Sequence, residues 1–262
     1  MPRPRVYKTQ AIVLRQRKLG EADKIVTLYS SHYGKIDAVA KGVRRTKSRL
    51  AGHLEPLTLG SYLLAEGREL DIVTQAETVD AFPHLRADLE RVSRGFYCAE
   101  LVDRLTPDRS EGNPIFRLLQ ETLGHLNASP EYEMATRRFE LRLLGELGYR
   151  PSLMECAACG KALEPIPNFW SADAGGAVCP ACAGDSLRLA PLSLNALKML
   201  RLLQRSPYED ATRIRISSQL AAEIEFCLGE CVRYVLERDV RSAGFVETLR
   251  SHPAAPRTNT PA

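Results

Sequence analysis

Alternating apolar and polar residues dominate the first 80 positions, and apolar residues three or four apart dominate the rest. The alternation, rich in β-branched and aliphatic residues, predicts short strands over 6–15, 24–29, 36–40, 57–65 and 70–76. Tyr33-Gly34-Lys35 and Glu66-Gly67-Arg68 read as hairpin turns, because glycine tolerates the positive φ such turns need. Past Phe82-Pro83 the period lengthens, and Leu85, Leu89, Val92, Phe96, Ala99 and Val102 fall on one helical face. Asn113-Pro114 reads as the cap and first-turn proline of a second helix, striped by Ile115, Leu119, Leu123 and Leu126. Tyr132, Phe139, Leu143 and Leu147 mark a third, ended at Gly148 with Pro151 beyond. After an interruption come two more, over 193–203 and from 217 to 236 or further. The expectation is an α+β chain: a barrel domain over 1–80, an α-helical domain over 81–250, and a disordered, proline-rich tail over 251–262. A small Greek-key barrel of the oligonucleotide-binding (OB) type fits five such strands, and a barrel with no ligand fits them equally.

The interruption, at about 153–185, carries Cys156-Ala-Ala-Cys159-Gly160 and Cys179-Pro-Ala-Cys182, a C-x2-C-x19-C-x2-C pattern. Each pair can chelate through a tight knuckle, and two knuckles make a tetrahedral thiolate site for which Zn2+ is the default cytosolic ion. Four protein ligands leave no position for a substrate, so the expected role is structural, at one site. Phe169-Trp170, between the knuckles, is expected to pack over the ribbon. Cys98, Cys227 and Cys231 lie on apolar helical faces, where a thiol behaves as a small hydrophobe.

Charge changes the picture at the front of the chain. Residues 1–60 hold 13 Lys and Arg against 4 Asp and Glu, a net +9, inside a chain whose total is only +4. Five of those cations, Lys41, Arg44, Arg45, Lys47 and Arg49, stand within nine positions. Such a field attracts a polyanion, and nucleic acid is the commonest one. No phosphate loop, dinucleotide fingerprint, H-E-x-x-H or G-x-S-x-G motif occurs, and the five histidines are scattered. The expectation is a binding protein and not an enzyme. No apolar run approaches the roughly 20 residues that span a bilayer, and the first ten residues lack the apolar segment of a secretion signal. A cytoplasmic protein is expected.

Three stretches resemble one family. Gly20-Glu21-Ala22-Asp23 through Tyr33-Gly34-Lys35, then Lys41-Gly42 and the basic run to Leu50, are similar to the N-terminal signature of RecO, the bacterial recombination mediator. The run from Phe139 to Pro151, leading into Cys156 and Cys159, resembles that family's helix-to-knuckle join, and Gly175-Gly176 before Cys179 and Cys182 its second knuckle. The similarity extends over about residues 5–245. It implies an OB barrel joined to a helical domain with a zinc-binding insertion, and binding of single- and double-stranded DNA with annealing of complementary strands. It further implies RecR, RecF and the single-stranded-DNA-binding protein SSB as partners, with RecA loaded as the outcome, and a nucleoid-associated place in a bacterial cytoplasm. A zinc-ribbon OB-fold RNA-binding factor is the alternative reading.

On either reading, phosphate contacts are expected from Lys35, Lys41, Arg44, Arg45, Lys47 and Arg49, with Arg15 and Lys24 as further candidates. Residues 1–80 contain no Phe or Trp, only Tyr7, Tyr29, Tyr33 and Tyr62. Base stacking is therefore expected to be minor and discrimination between single and double strands modest.

Overall fold

In the computed structural model, residues 6–110, 113–129, 132–184, 188–208 and 214–251 are described, with side chains as far as 237. Period-two burial builds the first domain: in β3 (Gly34–Ala40) Ile36, Ala38 and Ala40 point inward while Lys35, Asp37 and Val39 point out. With β1 (Val6–Leu19), β2 (Asp23–Ser30), β4 (Leu59–Ala65) and β5 (Asp71–Asp80) it forms a closed barrel in the order β1-β2-β3-β5-β4. Antiparallel ladders join every neighbouring pair except β3 and β5, which close the barrel in parallel at Ala38↔Asp71 and Val39↔Ile72. Five antiparallel strands closed by one parallel pair in this order make an OB-type Greek key. Ala11, Val13, Val26, Leu28, Ile36, Tyr62, Leu64 and Val73 fill the interior.

Strand ends differ from the sequence reading for local reasons. β1 runs on to Leu19 and β5 to Asp80, because their outer ends are polar ladders that an apolar count does not register. β4 starts two residues late because Leu57 takes a φ of +64°, turning the chain so that its side chain meets α2. The turn at Tyr33-Gly34 forms as expected, with Gly34 at φ +62°. A Cβ on Gly34 would lie 2.2 Å from the Ser110 carbonyl, so the position also tolerates nothing larger.

The helical domain begins with α1 (Pro83–Ala87), followed by α2 (Leu89–Leu105), α3 (Asn113–Ala128) and α4 (Tyr132–Glu146). After the cysteine segment come α5 (Leu194–Arg205) and α6 (Ser218–Ser251). The single stripe read from Leu85 to Val102 is two helices. Asp88 is extended between them and caps α2, its carboxylate accepting from the Arg91 N–H at 3.0 Å. Leu89 is 83% exposed and Phe96 46% exposed, so neither belongs to the buried face, which is made by Gly95, Cys98, Ala99, Leu101, Val102 and Leu105. The helix turns its small residues inward because Leu57 arrives there: a Cβ on Gly95 would stand 2.9 Å from Leu57 Cδ1. The tail expected over 251–262 lies, apart from Ser251 at the end of α6, outside the described residues.

α4 is buried nearly all round and carries the least expected group in the core. Glu140 is fully buried, taking two hydrogen bonds from Arg137 Nη1 at 3.0 and 2.9 Å and one from the Tyr97 hydroxyl at 2.6 Å. Burial pushes its carboxyl up to about 7, against the pull of Arg137 and Tyr97. The unfolded chain releases that proton near pH 4.3, so the folded state binds the extra proton between about pH 4.3 and 7. Stability is therefore expected to fall as pH rises through this window and to level off above it. Denaturant midpoints measured from pH 4.5 to 8 check this, and Glu140→Gln should flatten the profile.

The two domains share one apolar cluster. Ile12, Leu14 and Tyr29 on the outer face of β1 and β2, with Leu57 and Leu59, pack into the same core as α2 and α3. The link between α2 and α3 straps the barrel edge: Arg109 N–H donates to the Lys35 carbonyl at 2.9 Å. The Arg109 guanidinium reaches the fully buried Asp71 at 2.9 Å, and the Tyr7 hydroxyl donates to the same carboxylate. The apolar outer positions Ile12, Leu14 and Tyr29 are thus covered by the helical domain, while Arg17 and Lys18 at the far end of β1 stay exposed.

Candidate nucleic-acid interface and metal centre

The basic run lies in the connection from β3 to β4, which folds back against the β1–β2 turn. Val43 and Leu54, 3% and 1% exposed, plug the barrel and anchor the connection at both ends. Gly42 N–H donates to Asp23 Oδ1 at 2.7 Å, and Arg44 N–H donates to the Ala22 carbonyl at 2.9 Å. Arg44 also turns its guanidinium onto the carbonyls of Gly20 and Glu21, at 3.2 and 2.8 Å. Pinned in this way, the connection exposes Lys41, Arg45, Lys47 and Arg49, none of which has an acidic partner among the described residues. Arg44 is exposed as well, though its fork is engaged.

Strand register adds two cations that the sequence reading missed. Lys18 stands opposite Lys24, and Lys24 opposite Ala40, so three adjacent strands deliver Arg17, Lys18, Lys24 and Lys41 to one end of the barrel. Arg17 and Lys18 are both exposed. The signal that marks them is the polar run Arg15-Gln16-Arg17-Lys18, which continues the β1 ladder past its apolar half. Lys24 reaches Glu55 at 4.0 Å and is one-quarter exposed.

Lys35 and Arg15 sit elsewhere, in the junction between the domains. Lys35 Nζ donates to the Asp103 carbonyl at 2.6 Å, lies 3.3 Å from Asp108 Oδ1, and is 15% exposed. Arg15 Nε meets Asp103 Oδ2 at 2.6 Å. Of the eight residues expected to contact phosphate, six are gathered at the basic pole and these two brace α2 against the barrel. Among the four barrel tyrosines, Tyr29 is 1% exposed, whereas Tyr33 is 43% exposed with its ring 4.7 Å from that of Tyr7.

The cysteine segment stands on a three-stranded sheet, β7 (Gly176–Val178), β6 (Asn168–Ser171) and β8 (Ala190–Leu192), in the order β7-β6-β8. Trp170, 1% exposed, packs from it into the helical core, and Phe169 lies partly buried against the same cluster. The ligand sulfurs of Cys156, Cys159, Cys179 and Cys182 all lie within 4.8 Å of one another, with Cys159 and Cys179 4.0 Å apart. Four thiolates bound to one tetrahedral zinc at 2.3 Å are roughly 3.8 Å apart, so the cluster needs little movement to close on a metal. Its amides suit anionic sulfur: Cys179 N–H donates to Cys156 Sγ at 3.3 Å. Burial pushes the Cys156 thiol up, but the N–H groups of Cys179, Cys159 and Ala158 outweigh it and bring it down to about 6. Cys98, Cys227 and Cys231 are buried in the helical core, apart from this cluster.

Comparison with known proteins agrees with this anatomy domain by domain. The family described as "Recombination protein O N terminal" matches residues 4–82, and "Recombination protein O C terminal" matches residues 86–243. The chain belongs to the RecO family. Among its relatives is the DNA repair protein RecO of Roseiflexus sp., 46% identical over 260 residues that cover 99% of this chain and 90% of that one. The RecO of Pelotomaculum thermopropionicum is 40% identical over 250 residues, covering 95% and 97% of the two chains. That of Dehalococcoides mccartyi is 35% identical over 250 residues, covering 95% and 98%. The boundary between the two family matches falls at residues 82–86, where β5 gives way to α1 and α2.

Proposed function

We propose that the chain is a DNA repair and recombination mediator. It binds single- and double-stranded DNA, anneals complementary strands, and with RecR and RecF promotes loading of RecA onto SSB-coated DNA at the bacterial nucleoid. The observation that carries this reading is a set of cations gathered at one end of an OB barrel. Lys18, Lys41, Arg45, Lys47 and Arg49 are exposed with no acidic partner among the described residues, while Arg17 and Lys24 beside them lie 3.8 and 4.0 Å from Asp37 and Glu55. Those charges neutralise phosphates and release counterions, which supplies affinity without reading bases. Two strands held by their backbones repel each other less and keep their base edges free to pair. The reading assigns no bond-making step to the chain.

Zinc, when bound by Cys156, Cys159, Cys179 and Cys182, ties the two knuckles together and supplies no open coordination position. The ribbon then extends the helical core, through Trp170, Ala177 and Val178, as a rigid platform for partner proteins. The deciding experiment follows annealing of complementary strands coated with SSB, with and without RecR. Acceleration that persists over the coat and responds to RecR is expected. Annealing no faster than the uncatalysed rate at low salt, with either coated or bare strands, would overturn the reading.

A further inference from the structure

Phe96 is the one expected core aromatic of α2 that the fold leaves in solvent, and it borders a groove of about 470 Å3 between that helix and the barrel. Leu14, Pro56 and Gln16 line the barrel side, and Arg15 and Arg104 stand at its edges. Two ion pairs neutralise the groove internally, Arg15 with Asp103 at 2.6 Å and Arg104 with Glu100 at 2.6 Å. The Gln16 amide nitrogen donates to Glu55 at 3.2 Å. Glu55 in turn reaches Lys24 of the basic pole, and Arg17 and Lys18 follow Gln16 in the same strand. The groove therefore opens onto the cationic end of the barrel.

We infer that this groove receives one unpaired nucleobase, stacked on the Phe96 ring, while the phosphates on either side lie against the basic pole. The inference rests on the DNA-binding reading above and specifies its preferred strand form. A base is a flat, neutral, partly apolar ring. The groove answers these properties with an exposed aromatic face and a charge balance near zero. Cations alone do not distinguish single from double strands. An aromatic platform does, because bases in a duplex are already stacked on each other and paired. The barrel lacks Phe and Trp, and its partner domain supplies the ring instead. One such contact per protein leaves the remaining bases of a bound strand available for pairing.

The test compares the full-length protein with its Phe96→Ala and Phe96→Tyr variants on three probes of equal length: a single strand of about 20 thymidine nucleotides, the same strand with abasic sites throughout, and a duplex. Phe96→Ala is expected to weaken single-strand binding about fivefold or more and to leave abasic and duplex binding unchanged. Phe96→Tyr should bind like the parent. If the alanine variant fails to melt cooperatively, Phe96→Leu replaces it, since leucine keeps apolar bulk and removes the ring. Unchanged single-strand affinity, or equal loss on all three probes, overturns the inference while the parent's own binding leaves the DNA-binding reading intact. A parent that binds none of the probes at low salt overturns both.

Discussion

Replacing Lys41, Arg45 and Lys47 together by glutamate is expected to lower affinity for single-stranded DNA about a hundredfold near physiological salt and to abolish annealing. These three are chosen because each is exposed and has no acidic partner among the described residues, so their loss leaves no buried charge behind. Arg44 is spared because its guanidinium holds the carbonyls of Gly20 and Glu21, and its removal would loosen the loop that presents the others. About six phosphate contacts on a single strand give a log–log salt slope near −4, and removing three should bring it to about −2. Affinity titrations over a range of salt concentrations read both numbers at once. The thermal midpoint should stay close to that of the parent, since the barrel core under the loop is held by Val43 and Leu54. A slope that did not change would move the contacts off this pole, to the cations of the helical domain.

The parts of this molecule that are local in sequence were legible in it. Alternation along β3 and the turn at Gly34 are decided by neighbours a few residues apart, and so is the pairing of Cys156 with Cys159 and Cys179 with Cys182. What escaped depends on contacts across the chain. Lys35 and Arg15 read as free cations until Asp103 and Asp108 arrive from α2 and the linker after it. Arg17 and Lys18 gain their place only through the register that sets Lys18 beside Lys24. Phe96 satisfies the helical period yet faces water, because Leu57 and Gly95 determine which side of α2 approaches the barrel. Glu140 and Arg137 read as an ordinary i,i+3 helical pair, and only the fold, which buries them and brings the Tyr97 hydroxyl onto the same carboxylate, sets the group apart. Aliphatic patterning locates the core, whereas the ownership of each charge is settled by tertiary packing.

Removing the metal is expected to have the largest effect on stability and a small one on DNA binding. Structural zinc contributes roughly 10–16 kcal/mol where folding and ligation are coupled, and the segment around these four cysteines has few strands and short ones to hold it otherwise. Its effect reaches further, because Leu153, Cys156, Leu163, Trp170, Ala177 and Val178 belong to the same apolar cluster as α4, α5 and α6. Chelation, or Cys156→Ser with Cys159→Ser, should therefore release one equivalent of zinc, expose the segment to proteases and lower the thermal midpoint of the helical domain. The interior of the barrel forms a separate cluster, so single-strand affinity should change less than about threefold at a temperature where the barrel remains folded. Metal analysis, limited proteolysis and anisotropy on the same sample distinguish the two effects. If one equivalent of zinc left without altering the melt, the cluster would not be structural. If DNA affinity collapsed with it, the ribbon itself would belong to the nucleic-acid interface.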